Sequence, residues 1–141
     1  MLSENYEKIY RKAGYILEKL KYLRKNKPDN LKIFIDNETL QMSILYAIHV
    51  SIEATVDIAI LVGTKTSEME YIGDYEIFES LLNEGFIQED TFEKLRRLNG
   101  LRNAVVHAYD SLIIEEIYDS YDEIMKDISC VIDDLIESTS N

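Results

Sequence analysis

Near the start of the chain, Tyr6, Ile9, Tyr10, Ala13, Ile16, Leu17, Leu20 and Leu23 recur at the spacing that lays an apolar stripe along one side of a helix. Ser3 can cap its start and Pro28 stops it. Over residues 38–62 the apolar positions no longer keep to one side, the pattern of a helix buried at the centre of a bundle. A stretch of small and polar residues at 63–73 leads to Asp74 as a cap, then Ile77, Phe78, Leu81 and Leu82, closed by Gly85. Phe92, Leu95, Leu98, Leu101 and Val105 mark a fourth helix over residues 89–109. After a break near Asp110, Ile117, Tyr121, Ile124, Ile128, Val131 and Leu135 mark a fifth. The pattern predicts an all-α, antiparallel bundle of about five helices, with residues 1–141 in a single domain and no internal repeat or linker.

Composition narrows the function classes. Five glycines and one proline supply too few turns for a many-stranded β protein. Cys130 is the only cysteine, and with only His49 and His107 beside it neither a disulfide nor a closed zinc site is expected. No metal or cofactor is predicted, and the compartment is expected to be reducing and cytoplasmic. The chain opens into charged sequence, and its strongest apolar run, residues 58–62, is too short for a bilayer, so no membrane span is expected.

A net charge of −12 argues against a general nucleic-acid coat protein. The charge is uneven, however: residues 1–32 hold nine Lys or Arg against four acids, and residues 110–141 hold one against ten. Lys19, Lys21, Arg24, Lys25 and Lys27 form the basic cluster, followed by Lys32. It reads either as a solvated face or as a contact for RNA backbone, with Lys21, Arg24 and Lys25 the candidates.

The remaining chemistry lies in Leu98-Asn-Gly-Leu-Arg102-Asn103-Ala-Val-Val-His107-Ala-Tyr109. At about 100° per residue, Leu98, Leu101, Val105, Ala108 and Leu112 share the side expected to face the core. Asn99, Asn103, Val106 and His107 point roughly 150° away, a mixed face suited to contact with another subunit. Tyr109 falls within about 20° of Arg102. Arg102 and His107 are not stacked, so they would converge on a phosphate through the reach of the arginine or across a dimer.

With this string between two amphipathic helices, the chain resembles the HEPN superfamily, and most closely the HepT toxins of HepT/MntA toxin–antitoxin modules. The pattern Arg-x4-His-x-Tyr, with a polar residue after the arginine, is met by Arg102, Asn103, His107 and Tyr109. Ser51-Ile-Glu-Ala-Thr-Val-Asp-Ile-Ala59 is similar to the family's central helix and Phe78-Glu-Ser-Leu-Leu-Asn-Glu-Gly85 to its third. The resemblance implies a HEPN-type bundle and a metal-independent RNase acting as a homodimer, with two motifs facing across a cleft. It also implies an MntA-like nucleotidyltransferase antitoxin that transfers AMP to Tyr109. A catalytically silent HEPN module, serving as a dimeric platform for such a partner or for a nucleotide, is the alternative.

RNA carries its own nucleophile, the 2′-hydroxyl, so the protein must supply proton transfer and a fixed cation. Histidine as a residue type suits the first and arginine, a permanently charged fork, the second. His107 is thus expected as acid/base and Arg102 as phosphate clamp, with Asn103 the third catalytic residue of the motif. The plain alternatives are an exposed interface histidine and an arginine paired with Glu53 or Asp57. His49, Glu53 and Asp57 form a polar line with Tyr46 on the apolar second helix. They read as a satisfied buried network or as groups that orient Arg102.

Overall fold

The computed structural model describes residues 2–107 and 110–140. Among them are seven α-helices and no strand: α1 (Leu2–Lys25), α2 (Leu31–Asp36), α3 (Glu38–Leu61), α4 (Asp74–Asn83), α5 (Glu89–Val106), α6 (Ser111–Asp119) and α7 (Tyr121–Thr139). A π-helical turn, Val62–Thr66, prolongs α3.

The all-α bundle is as expected, with two elements added. Asn30 caps α2 by accepting from the Ile33 N–H, and Asn37 both ends α2 and caps α3 by accepting from the Leu40 N–H. Six residues cannot hold a helix by propensity alone. Phe34 anchors this one, fully buried and 5.8 Å from the Tyr118 ring. The predicted fifth helix is two helices parted at Ser120, with Asp110 capping α6 through the Leu112 N–H.

Helix α3 lies at the centre, packed on α1, α5 and α7. Ile44, Ile48, Ile52, Ile58 and Ala59 are buried. Ser51 and Thr55 are buried with them, and each hydroxyl donates to the carbonyl one turn back, at 2.7 Å, so no hydroxyl is stranded. Lys12 meets Asp57 while Tyr22 meets Ser43, so α1 runs antiparallel to α3. Together α3 and the π turn make a 29-residue helical stretch, long and apolar enough by composition to cross a bilayer, and 56% of its most apolar window is buried within the fold. The unbroken run at 58–62 understated that length, and core packing accounts for the apolarity.

Several expected positions differ. Ile9, Ala13, Ile16, Leu20 and Leu23 are core residues, but Tyr10 and Leu17, at the edge of the same stripe, are each 54% exposed. Helix α1 begins at Leu2, ahead of the expected cap Ser3. Leu112 is 67% exposed because the chain turns after α5 and restarts in α6, where Ile114 and Ile117 are buried instead. Ala108 and Tyr109 lie outside the described residues.

Candidate active site

The C-terminal third of α5 carries the motif. Leu98 and Val105 anchor the helix in the core, which leaves Arg102 on its flank beside α3 and the start of α4. One terminal nitrogen, Nη1, donates to Glu53 Oε1 at 2.7 Å, and the other, Nη2, to Asp74 Oδ2 at 3.0 Å. The guanidinium is 23% exposed and the Asp74 carboxylate 19%. Such charge-assisted bonds fix both the position and the plane of the fork.

Asp74 therefore does not cap α4. Gly73 occupies the cap position with extended backbone, and Asp74 is the first helical residue, its carboxylate turned to Arg102. Its other oxygen accepts from the Tyr71 hydroxyl at 2.7 Å. That bond raises the Tyr71 pKa, with desolvation and the Asp74 charge adding to it and Arg102 opposing it. The sequence gives no local sign of this contact, because Asp74 and Arg102 are 28 residues apart.

The polar line on α3 is not a buried network. Glu53 reaches Arg102, His49 Nε2 stands 4.0 Å from Glu53 Oε2, and Tyr46 is exposed. Asp57 pairs with Lys12 on α1 at 3.3 Å and not with Arg102, since it sits one turn further along α3, toward the N-terminal half of α1. Asn103, Val106 and His107 are exposed as expected, whereas Asn99 is half-buried with Oδ1 shielded from solvent. The His107 N–H closes α5 on the Asn103 carbonyl at 3.4 Å. Lys21, Arg24 and Lys25 are exposed at the far end of α1, roughly 150° around that helix from Lys8 and Lys12. Among the described contacts none joins them to Arg102.

A family profile described as ribonuclease HepT-like matches residues 16–135. The chain belongs to the HepT-like family. A candidate RNase of Archaeoglobus fulgidus is 34% identical over 102 residues, covering 72% of this chain and 76% of the relative. A second candidate RNase of the same organism is 33% identical over 119 residues, covering 84% and 83%. Among solved structures, a crystal structure of an MntA–HepT toxin–antitoxin pair superposes with a TM-score of 0.75 at 23% identity, covering 90% of this chain and 96% of that one. A tri-AMPylated Shewanella oneidensis HEPN toxin in complex with MNT antitoxin superposes at 0.74 and 23% identity, covering 90% and 95%. At these identities the superpositions establish the fold of this HepT-like chain, a HEPN-type bundle.

Proposed function

We propose that this HepT-like protein is the endoribonuclease toxin of a toxin–antitoxin pair, working without a metal as a homodimer. It is silenced when an MntA-like nucleotidyltransferase attaches AMP to Tyr109. The observation that carries this reading is Arg102, held by Glu53 and Asp74 on α5, with exposed His107 at the C-cap of the same helix. A guanidinium has five N–H donors; the two carboxylates take one from each terminal nitrogen, which leaves three for phosphate oxygens.

The chemistry follows from those groups. The His107 imidazole takes the proton of a ribose 2′-hydroxyl, whose oxygen attacks the adjacent phosphorus as the bond from phosphorus to the 5′-oxygen breaks. The leaving 5′-oxygen collects a proton from an imidazolium, supplied by the second copy if the two motifs face one another. Arg102 holds the non-bridging oxygens and balances the charge that builds on them. The products are a 2′,3′-cyclic phosphate and a 5′-hydroxyl. Family membership supports the RNase reading, and the solved toxin–antitoxin neighbours support the partner.

The test is cleavage of RNA by purified protein in excess chelator. His107→Ala is expected to lower the rate by about 10² to 10⁴, the range for a lost acid/base group. A clean His107→Ala preparation that cuts as fast as the parent removes the assignment. A parent that binds RNA without cutting it points to the silent module.

A further inference from the structure

Lys8, Lys12, Tyr15 and Lys19 follow one another on α1 at intervals of four, three and four residues, and so occupy an arc of about 60°. Arg11 lies beside them. This line forms one wall of the seam between α1 and α3. Two grooves run along the seam. One, of about 480 Å³, is lined by Lys8, Arg11 and Lys12 with Asp57, over an apolar floor of Ile60 and Leu61. The other, of about 470 Å³, is lined by Arg11, Lys12 and Tyr15 on α1 and by His49, Glu53 and Asp57 on α3, with apolar Val50 and Ala54 between them. They share Arg11, Lys12 and Asp57, and the second ends on Glu53, the carboxylate that holds Arg102.

The seam combines cations with aromatic rings. Lys19 Nζ sits 4.8 Å over the Tyr15 ring, and Tyr46 stands beside Tyr15 with 61% of its own surface exposed. Four acids stand along it: Glu7 holds Arg11 at 3.5 Å in an exposed pair, Asp57 is shared with Lys12 at 3.3 Å, Glu53 is engaged by Arg102 at 2.7 Å, and Glu18 lies near Tyr15. In a chain of net charge −12, Lys8, Arg11 and Lys12 line a seam that leads to Glu53, the acid that holds Arg102, so phosphates held there lie on the approach to the motif.

We propose that this seam is the track for single-stranded RNA, and the proposal rests on the RNase reading above. Backbone phosphates lie along Lys8, Arg11 and Lys12, a base stacks on Tyr46, and the strand is led past Glu53 to Arg102. Single-stranded nucleic acid is the occupant that fits, because interleaved cations and exposed aromatic faces bind backbone and bases at once without demanding sequence. Lys21, Arg24 and Lys25 face away from this seam and play the smaller part.

Binding is measured by fluorescence anisotropy with a labelled 2′-O-methyl RNA 12-mer, which cannot be cleaved, at several salt concentrations on the full chain. The double variant Lys8→Gln/Arg11→Gln is expected to weaken binding and to reduce the slope of log affinity against log salt by about 1.4, two single-strand contacts at about 0.7 each. Tyr46→Ala should weaken it about ten-fold with the slope unchanged, as loss of a stacked base does. The set Lys21→Gln/Arg24→Gln/Lys25→Gln is expected to lose less than the seam pair. Equal or greater loss in that set, unchanged affinity and slope in the seam variants, or no RNA binding by the parent protein overturns the track. So does a loss of binding accompanied by dissociation of the protein in light scattering, which makes the seam a contact between copies. Because the probe is uncleavable, failure of the RNase reading shows separately, as a parent protein that binds this probe yet leaves ordinary RNA intact.

Discussion

Arg102 gives up one hydrogen bond to Glu53 and one to Asp74, and the two acids are unequal: Glu53 is 46% exposed and Asp74 19%. Solvent screens the first pair, so Glu53→Gln should cost less than about 1 kcal/mol of stability. Asp74→Asn leaves a better-shielded guanidinium short of a charged acceptor and should cost about 1–3 kcal/mol in urea unfolding. If Asp74 positions Arg102, the same variant lowers kcat about ten-fold with little change in KM, since a displaced clamp is felt most in the transition state. Unchanged kcat with lowered stability leaves Asp74 a purely structural residue. That Arg102 stands on the flank of α5 and exposed His107 at its end was legible from their spacing, and the roles proposed for them come from the resemblance of the motif. Asp74 was not legible, because an acid after a glycine-containing loop reads equally well as a helix cap. Tyr109 is argued from sequence alone: an AMP there brings a phosphodiester charge and an adenosine to the line of Arg102, where both compete with RNA. Incubation with the partner nucleotidyltransferase, ATP and Mg²⁺ should add an adenylyl group at Tyr109, seen by peptide mass spectrometry, and abolish cleavage. Equal modification and silencing of Tyr109→Phe would place the switch on another residue.

At the scale of elements, the long amphipathic helices were legible and the short ones were not. Helix α2 is held by Asn30, Asn37 and the burial of Phe34, and six residues are too few for a helical period to show. The join of α6 and α7 was hidden because Ile117, Tyr121 and Ile124 keep helical spacing across Ser120. What marks the break is tyrosine chemistry: the Tyr118 hydroxyl donates to the Pro28 carbonyl and the Tyr121 hydroxyl to the Leu23 carbonyl, tying both helices to the end of α1. Burial pushes the Tyr121 pKa well above its ordinary 10.0, with nearby Tyr22, Asp122 and Tyr118 adding to it. The neutral phenol is the form the fold holds, so its contribution is complete below about pH 10 and is lost as pH rises toward the raised value. Tyr121→Phe should therefore be less stable at pH 7 by about 1–3 kcal/mol, through the stranded Leu23 carbonyl, yet decline less steeply above pH 10. Urea unfolding from pH 7 to 11 checks both, and parallel declines in the two proteins would contradict the assignment.

For the whole molecule, the outward face of the end of α5 bears on assembly. Val106 is 59% exposed beside Asn103 and His107. A two-fold contact over the Val106 face would bring two copies of the motif together. Light scattering at micromolar concentration should give a dimer, and Val106→Glu, which places a charge in the middle of that contact, should shift it to monomer and reduce cleavage together. A monomeric parent protein would contradict the shared cleft. The most direct test of metal-independent cleavage through the 2′-hydroxyl is end-group mapping of a short RNA cut in chelator, beside the same RNA with one 2′-O-methyl at the cut position. The expected result is 2′,3′-cyclic phosphate and 5′-hydroxyl ends from the first and an intact bond at the modified position in the second. A 5′-phosphate end, or cleavage that ignores the 2′-O-methyl group, would contradict it.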